Sequence, residues 1–341
     1  MIRFTSILLA LGSFAAAQES SPDYKNNMLA KVLLFTRTDG LRHDSISTAV
    51  NQLQAWGPYY NISFDASEDQ EKFTAENLAQ YDALLFVHTS GNIFDSTGQA
   101  AFEDYLAKGG NFAAVHAAST TYMLNAWAPW TDTLGATFIH HPRRQIATFV
   151  KETTGHPATN PTPDRWTFDE EVYSFTSDPR KLGAKLLFSV DSSSYKENNI
   201  VEEQGNPHPI AWYQDYSAGA VVKSGDPGPG IAGRSFYSSL GHNNSTWMDD
   251  TFMKHIMGGL SWTLASNTTR VAAGLYNGAQ PTAQIKLLPT PTPKTTPTSD
   301  GGPESTGGAT ISSSSGAFTN VPASVWATLG TALGAILGAL P

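Results

Sequence analysis

Apolar residues along this chain fall into two alternating patterns. Short uninterrupted runs, Lys31 to Thr36 and Tyr81 to His88, hold Val-Leu-Leu-Phe and Ala-Leu-Leu-Phe-Val cores. Such runs are too short for helices and fit strands covered on both faces. Between them the spacing becomes helical. Ile46, Val50, Leu53 and Trp56 recur every three to four residues, with Asp44 or Ser45 placed as a cap. A second helical stretch passes through Phe102, Tyr105 and Leu106 and stops at Gly109-Gly110, where glycine accepts a left-handed backbone. Phe112 to Val115 is then a third buried strand, and it ends in His116. The order β-α-β-α-β predicts an α/β fold built on a parallel sheet with right-handed crossovers.

Further along, the pattern is less regular. Trp127, Trp130, His140 and His141 fall in a loop-rich region punctuated by Pro157, Pro161 and Pro163. Phe168 to Phe175, Leu186 to Val190, His208 to Tyr213 and Gly233 to His242 read as strands. Phe252, Ile256, Leu260 and Leu264, at intervals of four, predict a final helix.

The two ends carry no such patterns. Residues 1–17 have Arg3, an apolar stretch from Ile7 to Phe14 and then Ala15-Ala16-Ala17, the layout of a secretory signal. A globular domain is expected over residues 30–270. Residues 280–316 form a Pro, Thr, Ser and Gly tract that cannot build a core and reads as an extended stalk. Residues 317–341 are largely apolar, and no Lys or Arg follows Lys294. Small residues before that terminus match a signal for a glycosylphosphatidylinositol anchor, attached at Ser315 or Gly316. These readings predict a secreted protein at the extracellular face of the plasma membrane or in the cell wall, meeting the membrane through a lipid anchor only. Asn61, Asn244 and Asn267 are the candidate glycosylation positions. The Asn243-Asn244 pair is the least favoured, because it adjoins His242.

Composition narrows the chemistry. The formal net charge is -9, which argues against nucleic acid as a partner. There is no cysteine, so disulfides, thiolate metal sites and a cysteine nucleophile are excluded. Gly228 to Gly233 matches G-x-G-x-x-G, but it is Pro-rich and precedes a strand, so it reads as a loop. Neither a P-loop nor G-x-S-x-G is present.

Histidines supply the candidate site. His43, His116 and His242 each stand at or beside the end of a strand, and in a parallel sheet such ends face one side. His140 or His141, and His208, can join from loops. Two readings stay open. Two or three imidazoles with a carboxylate can hold zinc or a similar divalent ion, or one imidazole can act as a general base oriented by a carboxylate. Asp169 and Glu171 are the carboxylate candidates. On a continuous strand Asp169, Glu171 and Tyr173 share one face and Glu170 takes the other. Trp166, Tyr173, Trp212, Tyr213, Tyr237 and Trp247 flank these groups, as a sugar-binding cleft requires. His88, His156 and His255 read as structural.

Several of these stretches occur together in one known family. Thr36-Arg37-Thr38-Asp39-Gly40-Leu41-Arg42-His43, Gly109-Gly110 to His116, His208-Pro209-Ile210-Ala211-Trp212 and Gly233-Arg234 to Gly241-His242 resemble the ThuA-like (trehalose-utilisation) family. Trp247 ahead of the last helix fits as well. Glu170-Glu171-Val172-Tyr173 stands where the family has Asp-Glu-x-Tyr, so Glu170 is a departure. A long Pro-rich loop from Gly225 to Gly233 is another. The resemblance implies a flavodoxin-like, mostly parallel open sheet with helices on both faces, similar to the class I glutamine amidotransferases. In those enzymes the strand-end elbow carries a cysteine. His116 stands at the comparable position, so amidotransferase chemistry is not expected.

Together these readings predict an enzyme acting on a carbohydrate or glycoside. His43, His116 and His242 would be acid-base groups or metal ligands, with Glu171 or Asp169 orienting them. His140, His208, Trp212, Arg234, Tyr237 and Trp247 would hold the substrate. The alternative is a non-catalytic carbohydrate-binding or wall-associated module.

Overall fold

The computed structural model describes residues 29–220 and 233–269. The expected leader, stalk and anchor signal, and most of the Pro-rich loop, lie outside these residues.

The core of the sheet is five parallel strands, four of them from the first half of the chain. They are β1 (Ala30–Phe35), β2 (Ile62–Ser67), β3 (Ala83–Val87), β4 (Asn111–Val115) and, much later, β11 (Ser235–Ser238). Their order in the sheet is β2-β1-β3-β4-β11, the flavodoxin-like arrangement. Alternate residues feed opposite faces. Val32, Leu34, Leu85 and Val115 join one apolar cluster, while Leu33, Phe35, Phe86 and Phe112 join the other. Helices α1 (Ile46–Trp56) and α6 (Asp250–Leu264) cover the first face, and α3 (Ser96–Ala107) and α4 (Ala128–Leu134) the second. Two four-residue helices, α2 (Ala75–Leu78) and α5 (Asn244–Trp247), complete the set among the described residues.

Beyond β11 the sheet continues as β10 (Pro209–Gln214), β9 (Lys185–Val190), β6 (Gln145–Lys151) and β7 (Arg165–Glu170), all paired antiparallel. This antiparallel half is an addition to the parallel core that the apolar pattern predicts. In a flat sheet, four strand spacings of about 4.8 Å would put β7 roughly 19 Å from β11. Yet the Glu170 carboxylate lies 2.8 Å from the Gly241 amide, so this half curls back over the carboxyl ends of the parallel strands. The expected strand from Phe168 to Phe175 is broken for the same reason. β7 ends at Glu170, and Ser174–Phe175 forms a separate strand, β8, paired with β5 (Phe138–His140).

The expected caps also resolve. Ser45 is the N-cap residue of α1, but its hydroxyl makes no cap hydrogen bond. It donates instead to the His242 carbonyl at 2.8 Å, tying α1 to the loop after β11. At the other end of the molecule, the Asn111 amide at the start of β4 bonds Thr269 at 3.2 Å, so the described chain ends opposite the carboxyl ends of the strands.

The sequons occupy unequal positions. Asn61 has left-handed backbone and a buried, unpartnered amide nitrogen. Asn244 accepts from Thr48 and donates to Asp44, while Asn243 accepts from Arg144 and donates to the Asp169 carbonyl. Asn267 is exposed in the turn after α6.

Candidate active site at the carboxyl ends of the strands

Strand register brings the histidines together. Val87 pairs with Val115, and Val115 with Ser238, so His88, His116 and Ser239 emerge side by side. His43 enters from the loop between β1 and α1, and His242 follows β11. His43 lies 4.9 Å from His116 and 5.2 Å from His242, ring centre to ring centre. Glu171 closes the group, with Oε2 3.1 Å from His242 Nδ1 and 3.6 Å from His116 Nε2. One potential ligand atom from each of His43, His116, Glu171 and His242 lies within 4.8 Å of all the others.

Two of these histidines sit on uncommon backbone. His88 and His116 both have φ of 55°. Left-handed geometry costs a non-glycine residue about 1–2 kcal/mol and collects at functional sites. Here it turns the chain sharply at two adjacent strand ends, so that both imidazoles face the cluster. The backbone of His116 is held by Tyr237, whose hydroxyl donates to its carbonyl at 2.9 Å. Gly241, with φ of 120°, makes the corresponding turn before His242.

The hydrogen bonds of His116 fix its tautomer. Nδ1 lies 2.6 Å from the Ser239 carbonyl, which can only accept, so Nδ1 carries the proton. Nε2 therefore accepts from the Tyr173 hydroxyl at 2.9 Å. His43 has a buried Nδ1 with no partner, and His242 Nδ1 faces the Glu171 carboxylate at 3.1 Å. His88 forms the floor. Its ring stacks on His43 at 4.7 Å, and Nε2 lies 3.2 Å from the Ser45 hydroxyl and 3.3 Å from Trp247 Nε1.

Electrostatics separates the groups. Burial, aided by the neighbouring His116 and His242, lowers the His43 pKa to about 3, and burial holds His88 well below its ordinary value. Both rings are neutral at neutral pH. Burial alone would raise Glu171, but the imidazoles of His116, His242 and His141 around it outweigh burial and hold the carboxyl far below its ordinary value. The same carboxylate outweighs burial at His242 and raises it. Glu170, fully buried, accepts from the amides of Gly241 and Glu171 at 2.8 and 2.9 Å and from that of His242 at 3.2 Å. It thereby pins the two backbone segments that present His242 and Glu171.

The cluster opens into a cleft of about 950 Å³. Asp39, Asp44, Asn92 and Asn125 bring polar groups to it, and Met123, Leu124 and Phe138 an apolar side. Tyr173 and His141 line it as well, their rings stacked at 5.6 Å, with His141 Nε2 3.7 Å from Glu171.

Several expected site residues lie elsewhere. Trp212, Tyr237 and Trp247 are fully buried and offer no ring face to a ligand. Trp212 donates to the Leu134 carbonyl, and Trp247 donates to that of Gly241 beneath the site. Arg234 precedes β11 and so stands a strand length from the cleft, bonded to the Trp262 carbonyl and stacked on its ring at 4.6 Å. Asp169 points outward and pairs with Arg144 at 3.0 Å, because the chain turns between Glu170 and Tyr173. His208 donates from Nε2 to the Tyr173 carbonyl at 2.8 Å and supports that residue from behind. His141, rather than His140, reaches the cleft. His255, read as structural, is bonded at both nitrogens inside the core, whereas His88, read the same way, underlies the site. Tyr173 carried a signal in the sequence, its two-residue offset from Glu171, but only as an aromatic flank.

A parallel core with imidazoles gathered at its carboxyl ends defines a flavodoxin-like α/β protein that carries a histidine-glutamate cluster. The chain belongs to the ThuA family, described as trehalose utilisation, which matches residues 31–263. A ThuA-like protein from Bacteroides uniformis superimposes with a TM-score of 0.56 at 19% identity, covering 73% of this chain and 98% of that one. Another from Parabacteroides merdae gives 0.49 at 15% identity, over 69% and 90% of the two chains. PurLQS from Thermotoga maritima gives 0.38 at 10% identity, over 69% and 99%. Among curated proteins, none matches the sequence.

Proposed function

We propose that the cleft is the active site of an enzyme acting on a carbohydrate or glycoside, and that its floor holds a divalent metal ion, with zinc the best match to the donors. The observation that carries this reading is the convergence of His43, His116, Glu171 and His242 within 4.8 Å at the floor of an open cleft. Nothing about fold stability asks for it. A tetrahedral zinc site has donor-to-donor edges of about 3.4 Å, so a modest closing of the cluster suffices. The donors fit in kind: neutral imidazoles, one ionised carboxylate and a buried imidazole nitrogen otherwise without a partner. A bound ion would supply Lewis acidity toward a substrate oxygen.

The rest falls to side chains of the chain itself. Polar groups from three loops can meet hydroxyls, and the apolar side formed by Met123 and Leu124 can take the face of a sugar ring. The trehalose-utilisation description of the family supports a sugar as the ligand. The leader, stalk and anchor read from the sequence support a place at the cell surface. The described chain ends opposite the cleft, so attachment there would leave the cleft facing outward.

A screen of zinc-supplemented protein against disaccharides and aryl glycosides tests this reading. Turnover that disappears in His116→Asn and on chelation is the expected result. Glycan binding without turnover, unchanged in His116→Asn, would replace the enzyme with a binding module.

A further inference from the structure

The geometry points to a division of labour within the cluster. His43, Glu171 and His242 hold the ion, and His116 stands beside it outside the ligand shell, bonded to Ser239 and Tyr173. This assignment rests on the metal reading above and goes further, because the four converging groups differ in what their polar atoms already do.

His116 has no atom to spare. Its Nδ1–H is committed to the Ser239 carbonyl at 2.6 Å, and its Nε2 lone pair to the Tyr173 hydroxyl at 2.9 Å. Binding an ion through Nε2 would break the second bond and leave a buried phenol to find another acceptor. His43 is the opposite case, with a buried Nδ1 that makes no hydrogen bond, a desolvated group that a cation would satisfy. His242 Nδ1 faces the Glu171 carboxylate, with Oε2 at 3.1 Å, so the two groups can meet one ion. Two histidines and a glutamate, with a further position open, form the ligand set of a catalytic zinc site, whereas four protein ligands form a closed structural one.

The remaining pair keeps its own bond. Tyr173 lines the cleft, and its hydroxyl is the atom through which His116 meets it. The left-handed backbone of His116 and the Tyr237 bond to its carbonyl hold the ring in place.

The test is zinc titration of the full chain, with circular dichroism as the folding control. His43→Asn, His242→Asn and Glu171→Gln should each weaken zinc binding by about 100-fold or more. His116→Asn and Tyr173→Phe should change it by less than about 10-fold, the lower end of what groups outside the ligand shell do. Asparagine suits position 116 because it tolerates left-handed backbone. Loss of zinc from His116→Asn equal to that from His43→Asn would overturn the division. If His116→Asn does not fold, Tyr173→Phe decides. Should His116 be a ligand, freeing its Nε2 from the phenol would tighten zinc by about 10-fold, and that result also overturns the assignment. A wild-type chain that binds no zinc overturns the metal reading, and the division with it.

Discussion

Glu170 shows how a single side chain can serve a site it does not enter. The Asp-Glu-x-Tyr resemblance marks position 170 as a departure, yet glutamate has the reach to satisfy three backbone amides across the curl of the sheet. Glu170→Gln keeps the size and exchanges one acceptor oxygen for a donor that faces N–H groups. A loss of about 1–3 kcal/mol in urea unfolding is expected. An unchanged midpoint would mean that the loop carrying His242 holds itself. Legibility at this scale followed chemistry more than geometry. His43, His116 and His242 were readable because histidine at strand ends is uncommon. The buried tryptophans were misplaced because an aromatic beside polar residues looks the same in the core as in a cleft.

Among the elements, strands with uninterrupted apolar runs were legible, and two of mixed pattern, β2 at the sheet edge and β6 inside it, were not. β2 reads Ile-Ser-Phe-Asp-Ala-Ser, and only Ile62 is buried, since the strand borders solvent. β6 places Ile146 outward at 61% exposure, which breaks the alternation that would have marked it. α6 was legible from its spacing of four, but not the reason for its Gly258-Gly259 pair. A Cβ on Gly259 would stand 2.3 Å from the Phe236 ring, so the helix packs against β11 through bare backbone. Gly259→Ala should therefore destabilise the protein by about 1–3 kcal/mol, despite the better helix propensity of alanine. A stabilised variant in thermal unfolding would show that the helix can shift. The sequons can be ranked in the same way. Peptide mapping of protein secreted from a yeast host should find glycan at Asn267 and none at Asn61 or Asn244, whose amides are buried or bonded. Glycan at Asn61 or Asn244 would mean that those local structures open.

At the scale of the whole molecule, buried neutral histidines set the response to acid. His43, His88, His156, His208 and His255 all have pKa values lowered by burial. The unfolded chain binds protons at these positions from about pH 6.5 downward, while the folded chain resists until far lower, near pH 3 for His43 and His156. Stability is therefore full above pH 6.5 and is lost as the pH falls, by up to about 1.4 kcal/mol per pH unit for each such histidine. His242, whose pKa is raised, acts in the opposite sense and offsets part of this. The metal-free protein should show a falling unfolding temperature between pH 6.5 and 4. A flat profile would mean that the cluster opens to solvent. This curvature of the whole sheet was beyond the sequence reading, because it depends on pairings between segments far apart in the chain.

The measurement that bears most directly on the central claim is the metal content of the purified full chain, by elemental mass spectrometry. About one zinc or similar divalent ion per chain is expected, with loss in Glu171→Gln. Absence of any ion after metal-supplemented expression would contradict the claim and leave the histidines to acid-base chemistry alone.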